Sequence, residues 1–295
     1  MIIVLEGIYA PIPTPFDNND ALYFEGLKKN LDWWGQSSIR GLVVAGTNGE
    51  AALLDQAEKL KLFSYAREHL PAEKSIIAGT GCESAKATIE LNRETANCGV
   101  DAALVITPYY FKGAMTEDTL YEYYLRIAEE SPLPVVLYNM PRNTGVNISA
   151  TLACRLSGHP NIFGIKDSSG DITQIQTILR NASPGFQVSA GSAGFLLPSL
   201  AIGAVGATAA LANIMPEECV DIIRFYREGN LEKARQLQLK IMEINAAVTS
   251  RWGVPGLKYA LDMIGFYGGP PRSPLRPLGE PEKALLKEIW QSAKR

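Results

Sequence analysis

The segment AALVITPYYFKGAMTEDTLYEYYLRIAEES, residues 102–131, holds one complete unit of the pattern that decides the fold. Its first part, AALVITP, is a short apolar run bounded by proline, which is typical of a buried strand. Its last part, EDTLYEYYLRIAEES, has apolar residues three and four positions apart, which predicts an amphipathic helix. A strand followed by a helix that packs back on it is the repeating unit of a parallel sheet.

Short apolar runs of this kind recur along the chain, with amphipathic stretches between most of them. The eight runs begin at Gly7, Gly41, Ser75, Ala102, Pro134, Ile162, Phe186 and Ala204. Eight strand–helix units in succession predict an α/β protein with a closed (β/α)₈ barrel, because doubly wound sheets usually have fewer strands and reverse the strand order. The eighth unit ends near Gly229, so we predict a barrel over residues 1–229 and a helical appendix packed on it over residues 230–295.

The composition is typical of a soluble globular enzyme whose partner is a small molecule. Of 295 residues, 46% are hydrophobic and 20% are charged, which is ordinary for a soluble globular protein. The net charge is −3, and scattered lysines and arginines give no positive patch for nucleic acid or an anionic membrane. No leader-like segment and no run of about 18 apolar residues is present. The sequence therefore predicts a cytoplasmic protein with a small-molecule partner.

The cysteines and histidines indicate neither disulfides nor a metal. The four cysteines, Cys82, Cys98, Cys154 and Cys219, form no C-x-x-C pair, which is typical of free thiols in a reducing compartment. His69 and His159 are the only histidines, and neither has a partner at metal-ligand spacing. We therefore expect chemistry without a metal site.

A lysine at the end of an apolar run is the first candidate for catalysis. In IFGIKDSSGD, residues 162–171, Lys166 ends the sixth predicted strand, and catalytic groups of such barrels lie at the carboxyl ends of strands. Tyr138, in YNMPRNTG, ends the fifth strand, so both side chains are expected to face one cavity. The alternatives are a lysine that extends along the surface to reach solvent and a tyrosine that bridges two layers.

A second candidate is the loop GTNGE, residues 46–50, which comes after the second predicted strand. Asn-Gly is typical of hairpin turns, but the next segment, AALLDQAEKLKLF, has helical periodicity and does not resemble a second strand. We therefore predict a strand-to-helix loop whose free N–H groups face the barrel mouth at a helix N-terminus. Such groups bind carboxylates well.

Four motifs together resemble a known family. GTNGE, TPYY at residues 107–110, YNMP and GIKDSSGD stand in the order and spacing of the dihydrodipicolinate synthase/N-acetylneuraminate lyase family of pyruvate-dependent class I aldolases. The chain resembles that family over essentially its whole length. The resemblance implies a carbon–carbon lyase that needs no cofactor, acts on an oxo acid and assembles as a homotetramer.

The resemblance also implies roles for individual residues. Lys166 would form a Schiff base with the substrate keto carbon, and Tyr138 would shuttle protons with the Thr47 hydroxyl in the relay. Tyr110 would reach in from a neighbouring subunit. The backbone N–H groups of Thr47 and Asn48 would hold the pyruvoyl carboxylate. A neutral lysine is required for the attack, and burial in an apolar barrel favours that form.

Within the family, the chain is most similar to 4-hydroxy-2-oxoglutarate aldolases. The similar features are Asn48 of GTNGE and the segments AGSAGF at 190–195, NAAVTSRWGVPGLK at 245–258 and GFYGGPPRSPL at 265–275. Synthases typically have an arginine where this chain has Asn143. Arg142 lies one place earlier, and in an extended segment its side chain would point the opposite way.

These features predict cleavage of 4-hydroxy-2-oxoglutarate to pyruvate and glyoxylate. Substrate choice is expected to depend on Asn48, Asn143, Ser168 and Gly191. Three alternatives stay open: a 4-hydroxy-tetrahydrodipicolinate synthase that condenses pyruvate with aspartate semialdehyde, a 2-keto-3-deoxy sugar acid aldolase, and a non-catalytic pyruvate-binding protein on the same fold.

Two unrelated classes of enzyme fit the sequence poorly. GTGCES, residues 79–84, lies after a strand as a dinucleotide-binding loop would, but Ser84 replaces the third glycine and the next strand ends without an acidic residue. AGSAG, residues 190–194, lacks the first glycine of the hydrolase motif G-x-S-x-G, and no triad histidine accompanies it.

Overall fold

A computed structural model describes residues 5–294. Eight parallel strands close into a barrel in the order of the sequence, with β1 paired to both β2 and β8. The strands are β1 Gly7–Pro11, β2 Gly41–Val44, β3 Ser75–Gly79, β4 Ala102–Ile106, β5 Val135–Asn139, β6 Ile162–Asp167, β7 Gln187–Ala190 and β8 Gly206–Thr208. All eight predicted runs form strands, so the predicted barrel is confirmed.

Helices surround the barrel and continue beyond it. They are α1 Phe24–Gln36, α2 Gln56–His69, α3 Ala85–Ala96, α4 Glu117–Glu130, α5 Pro141–Thr144, α6 Ala150–Leu156, α7 Ile172–Asn181, α8 Leu196–Ala201, α9 Pro216–Arg227, α10 Leu231–Lys240, α11 Met242–Ala246, α12 Gly253–Met263 and α13 Glu280–Lys294. Short 3₁₀ turns lie at Ala51–Leu53, Lys112–Ala114, Ala193–Phe195 and Ala210–Asn213, and a π-helical turn lies at Ala247–Arg251.

Alternation along the strands divides the core into two layers. Residues such as Val43, Ile77 and Val136 fill the barrel interior with Tyr138. Their neighbours in sequence pack outward against the helices in a much larger apolar layer. On β5 and β6, Tyr138 is paired in register with Lys166. The two predicted catalytic side chains therefore emerge beside each other on the interior face.

The additional C-terminal helices begin after a turn at Gly229. Helix α9 ends at Arg227 and α10 begins at Leu231, and we keep residue 229 as the proposed boundary between barrel and appendix. Residues 1–4 and 295 of those two predicted ranges lie outside the described residues. The four cysteines form no disulfide. Within residues 5–294, no helix has the length and apolar character needed to cross a membrane.

Candidate active site

Lys166 and Tyr138 form the centre of the site. Their exposed fractions are 3% and 4%, and Lys166 Nζ lies 4.0 Å from the centroid of the Tyr138 ring. The surface alternative for Lys166 is therefore wrong, because strand alternation on β6 directs this side chain into the barrel. In the described part of the chain, Lys166 Nζ has no hydrogen bond and no ion pair, so the amine is available to a substrate.

Thr47 extends this centre toward the loop after β2. Its Oγ1 lies 3.0 Å from Tyr138 Oη, at hydrogen-bond distance. The loop itself closes as a turn in which Glu50 N–H donates to the Thr47 carbonyl at 3.1 Å. Among residues 5–294, nothing accepts a hydrogen bond from the N–H groups of Thr47 or Asn48. The site thus combines the Lys166 amine, the Tyr138 phenol and the Thr47 hydroxyl with the two free N–H groups of the loop that carries Thr47.

The GTNGE loop is connected to the next helix differently from the prediction. It leads into the 3₁₀ turn Ala51–Leu53 and not directly into an α-helix. Helix α2 begins only at Gln56, because the Asp55 carboxylate accepts the Glu58 N–H while the Glu58 carboxylate accepts the Asp55 N–H. This capping box fixes the helix start at that point. The free N–H groups therefore belong to a turn stabilised by its own backbone.

A buried carboxylate that the sequence analysis missed joins the two catalytic strands. Asp167 is fully buried and accepts hydrogen bonds from the Asn139 side chain at 2.9 Å, the Gln174 side chain at 3.0 Å, and the N–H and hydroxyl of Ser169. Asn139 and Asp167 come directly after Tyr138 and Lys166 in sequence, so they point outward from the barrel. Their bond fixes the strand ends that hold the catalytic pair. The polar residues Asn139 and Asp167 at the ends of two apolar runs were the sequence signal that could have indicated this bond.

Ser168 and Gly191 lie against each other at the ends of β6 and β7. Gly191 N–H donates to the Asp167 carbonyl at 2.6 Å. In the described chain the buried Ser168 Oγ has no hydrogen-bond partner. A Cβ added at Gly191 would lie 2.7 Å from Ser168 Cα and closer still to its Oγ. Because Gly191 has no side chain, the Ser168 hydroxyl can occupy this space, where it is available to bond to a substrate.

We expect Gly191→Ala to lower kcat/KM by about tenfold or more, because the new methyl group must displace Ser168 from its position at the end of β6, two residues after Lys166. Gly158→Ala is the matched control, since a Cβ there meets nothing closer than 3.8 Å. Steady-state kinetics on both variants, with thermal unfolding to confirm the fold, make the test. A Gly191→Ala enzyme within twofold of wild type would contradict it.

The segment around Asn143 is helical and not extended, so the expectation that Arg142 points the opposite way is wrong. Pro141 begins the short helix α5 and Gly145, with φ +68°, ends it. Successive side chains on a helix are about 100° apart. The Arg142 guanidinium donates to the Ser250 carbonyl at 2.7 Å, and Asn143 is exposed.

Tyr110 lies apart from the other site residues. Its side chain is 76% exposed and stacks edge-on with the exposed Phe111. The Glu83 carboxylate accepts the N–H groups of Tyr110 at 2.9 Å and of Tyr109 at 3.1 Å, which holds this aromatic arm in place. In the described part of the chain, the Tyr110 hydroxyl makes no hydrogen bond to Tyr138 or Thr47. Within residues 5–294, no group of three or more His, Cys, Asp or Glu could hold a metal ion.

The arrangement suits covalent chemistry on an oxo acid. A buried amine can attack a carbonyl carbon, a phenol linked to a hydroxyl can carry protons to and from the adduct, and free N–H groups can bind a neighbouring carboxylate. These groups come from the ends of β2, β5 and β6. They lie at the carboxyl end of the barrel, where enzymes of this fold carry their active sites.

Comparison with known proteins agrees with this arrangement. The chain matches the model of the dihydrodipicolinate synthetase family over residues 4–293. A 4-hydroxy-tetrahydrodipicolinate synthase of Methanothrix thermoacetophila is 34% identical, over 97% of the chain and 96% of the relative. A dihydrodipicolinate synthase of Bacillus anthracis matches with a TM-score of 0.94 at 32% identity, covering 99% of both chains. A chloride-inhibited dihydrodipicolinate synthase of Acinetobacter baumannii, solved with pyruvate, gives 0.94 at 30% over 99% of each.

Proposed function

The chain belongs to the dihydrodipicolinate synthetase family and is a class I carbon–carbon lyase, and we propose that Lys166 forms a Schiff base with pyruvate. The observation that carries the proposal is the buried Lys166 amine 4.0 Å from the Tyr138 ring, with Thr47 bonded to that phenol. The family assignment removes the non-catalytic alternative. It also removes the dinucleotide-binding and serine hydrolase alternatives.

The first half of the reaction would build the imine. The neutral Lys166 amine attacks the keto carbon of pyruvate, and the resulting carbinolamine loses water as Tyr138 supplies a proton to its hydroxyl. Loss of a methyl proton from the protonated imine then gives an enamine. Tyr138 and Thr47 can pass each proton along one hydroxyl chain, because their oxygens lie 3.0 Å apart. The N–H groups of Thr47 and Asn48 would hold the pyruvate carboxylate throughout.

The second half would make or break the carbon–carbon bond. In condensation, the enamine carbon attacks an aldehyde, and the new alkoxide takes a proton from Tyr138. In cleavage, the hydroxyl of the substrate loses that proton, the carbon–carbon bond breaks, and the imine accepts the electron pair. The resulting enamine takes up a proton at carbon to become the imine of pyruvate, and hydrolysis of that imine by water releases pyruvate and regenerates Lys166. Asn143, Ser168 and Gly191 are the proposed contacts of the second substrate.

Tyr110 is proposed to act in a neighbouring subunit. A tyrosine that is 76% exposed beside an exposed Phe111 leaves a large aromatic surface in water, which is typical of surfaces that contact a partner. We therefore propose that copies of the chain assemble, as a homotetramer, and that Tyr110 completes the proton relay of its neighbour. We also propose a cytoplasmic location, since four unpaired thiols are typical of reducing compartments.

Two reactions are candidates for the second substrate. The name of the Methanothrix relative, 4-hydroxy-tetrahydrodipicolinate synthase, supports condensation with aspartate semialdehyde. This support favours the synthase over the predicted cleavage of 4-hydroxy-2-oxoglutarate, and we take the synthase as the first candidate. Cleavage stays the second candidate on one observation. Asn143 cannot make the bidentate, charge-assisted contact that an arginine makes with a carboxylate.

We expect kcat/KM for pyruvate with aspartate semialdehyde to exceed the value for 4-hydroxy-2-oxoglutarate or a 2-keto-3-deoxy sugar acid by about tenfold, or about 1.4 kcal/mol in transition-state binding. Asn143→Arg should raise the aspartate semialdehyde value further by supplying a charged contact. Asn143→Gln keeps the amide and serves as the control. If 4-hydroxy-2-oxoglutarate is the better substrate by tenfold, the synthase proposal is replaced by the second candidate.

A further inference from the structure

A buried ion pair outside the proposed chemistry joins the catalytic loop to the C-terminal appendix. Glu50, the last residue of GTNGE, and Lys258, on α12, have side chains that are 0% and 1% exposed, with Lys258 Nζ 2.6 Å from Glu50 Oε1. Lys258 Nζ also donates to the Pro270 carbonyl at 2.8 Å and lies 4.5 Å from the centroid of the Phe16 ring. A buried charge pair is expensive to desolvate and must be held in good geometry, so its location needs a reason.

Glu50 is the residue that closes the loop. Its N–H bonds to the Thr47 carbonyl, and its backbone is left-handed, with φ +58°. Ala45, at the other end of the loop, is also left-handed, with φ +52°. Non-glycine residues adopt this conformation only where their surroundings impose it, and such strain concentrates at functional sites. The Thr14 hydroxyl donates to the Gly49 carbonyl at 2.7 Å and holds the same turn from the β1 side.

A second contact from the appendix acts on the same carboxylate. Arg272 N–H donates to Glu50 Oε2 at 2.8 Å. The Arg272 guanidinium makes two bonds with Glu58, at 2.7 and 2.8 Å, and one with the Leu53 carbonyl at 2.8 Å. The appendix therefore contacts both the end of the GTNGE loop and the first turn of α2. Glu50 therefore has the Lys258 ammonium beside one oxygen, as an ion pair, and the Arg272 N–H bonded to the other, and both partners lie more than 200 positions later in the chain.

We propose that Glu50 and Lys258 are positioning residues for pyruvate binding. Through Glu50, the appendix fixes the turn that aims the N–H groups of Thr47 and Asn48 at the pyruvate carboxylate and the Thr47 hydroxyl at Tyr138. This inference rests on the proposed function. Neither residue touches the substrate. Their contribution is to hold the loop in its strained, bound-like form before pyruvate arrives, so that binding does not have to order it.

The test is the pyruvate concentration that half-saturates borohydride trapping of Lys166, measured by intact-protein mass spectrometry. Glu50→Gln should raise this concentration by about tenfold or more, while labelling at saturating pyruvate stays within about twofold of wild type. Glu58→Gln is the matched control, because it weakens a different contact of the appendix, between the Arg272 guanidinium and α2, and leaves Lys258 and the Arg272 N–H on the Glu50 carboxylate. It should lower the melting temperature and leave half-saturation within twofold. An equal rise in both variants would overturn the proposal, since general destabilisation would then explain it.

Two further measurements keep the outcome decisive. If Glu50→Gln fails to fold, the double variant Glu50→Gln/Lys258→Met, which leaves no unpaired buried charge, should fold and show the same tenfold rise. Half-saturation within twofold of wild type in that variant would refute the positioning role. Amide hydrogen exchange of residues 46–54 should be faster in Glu50→Gln and in the double variant than in wild type, and exchange of residues 150–160 should be unchanged. Hydrogen exchange does not depend on Schiff-base formation, so it tests the inference separately from the proposed function. Failure of pyruvate and borohydride to label the wild-type protein would contradict the proposed function. Unchanged exchange of the loop in the variants would contradict the positioning role.

Discussion

Lys166→Ala should abolish covalent labelling by pyruvate and borohydride and lower turnover by at least about 10⁴-fold, which is the largest effect expected of any single substitution here. Lys166 supplies the nitrogen that becomes the imine, and no other group in the site can replace it. In the described chain its Nζ takes part in no ion pair or hydrogen bond, so its removal breaks no structural contact of that kind. Thermal unfolding should therefore shift little compared with the loss of activity.

Peptide mapping after reduction identifies the labelled lysine. Lys86→Ala is the control, because Lys86 is a surface residue whose side chain is 77% exposed, and this variant should be labelled like wild type. Label found on another lysine, or turnover retained in Lys166→Ala, would show that the proposed mechanism is wrong. Trapping alone needs only pyruvate, so the result does not depend on which aldehyde is the second substrate.

Tyr138→Phe should lower kcat by about 10² to 10⁴-fold, the usual range for losing a positioned acid or base. Among residues 5–294, the phenol is the one group that bonds to the Thr47 side chain and also lies against Lys166. Trapping of pyruvate should be slower and still detectable, because the amine stays in place. The change also removes the partner of the Thr47 hydroxyl, which leaves half of the relay unconnected.

Substitutions at Thr47 separate the relay from simple packing. Thr47→Ser keeps the hydroxyl and should stay within about tenfold of wild type, whereas Thr47→Val keeps the shape and should approach the Tyr138→Phe value. Pre-steady-state trapping rates and kcat on each variant make the comparison. A Tyr138→Phe enzyme within threefold of wild type would mean that the proton travels by another route.

Local patterns in the sequence were sufficient for the fold. Each apolar run and each amphipathic stretch carries its own periodicity, and that periodicity reports which face is buried wherever the element lies. Eight alternations then leave few topologies for a parallel sheet. The same alternation placed Lys166 and Tyr138 on adjacent strand ends, where the register pairs them directly. The four motifs also indicated the family, which the comparisons confirmed.

Other features depended on contacts that local periodicity does not encode. The helical turn at α5 results from Pro141 and Gly145 in a segment that the sequence pattern predicted as extended. The buried Asp167 carboxylate is satisfied by Asn139 and Gln174, which come from separate elements, in addition to its neighbour Ser169. Whether a buried polar group is tolerated depends on such partners, and partners are known only after the chain has folded.

The sequence by itself determined the barrel, the order of its strands and the pair formed by Lys166 and Tyr138, because these arise from patterns within single strand–helix units. Only the tertiary structure decided how the GTNGE loop is held. Arg272 and Glu50 are 222 residues apart, and their bond exists because barrel closure and the packing of the appendix bring both to one point. Side-chain pairs at such separation have no periodic signal, since each depends on the position of every element between them.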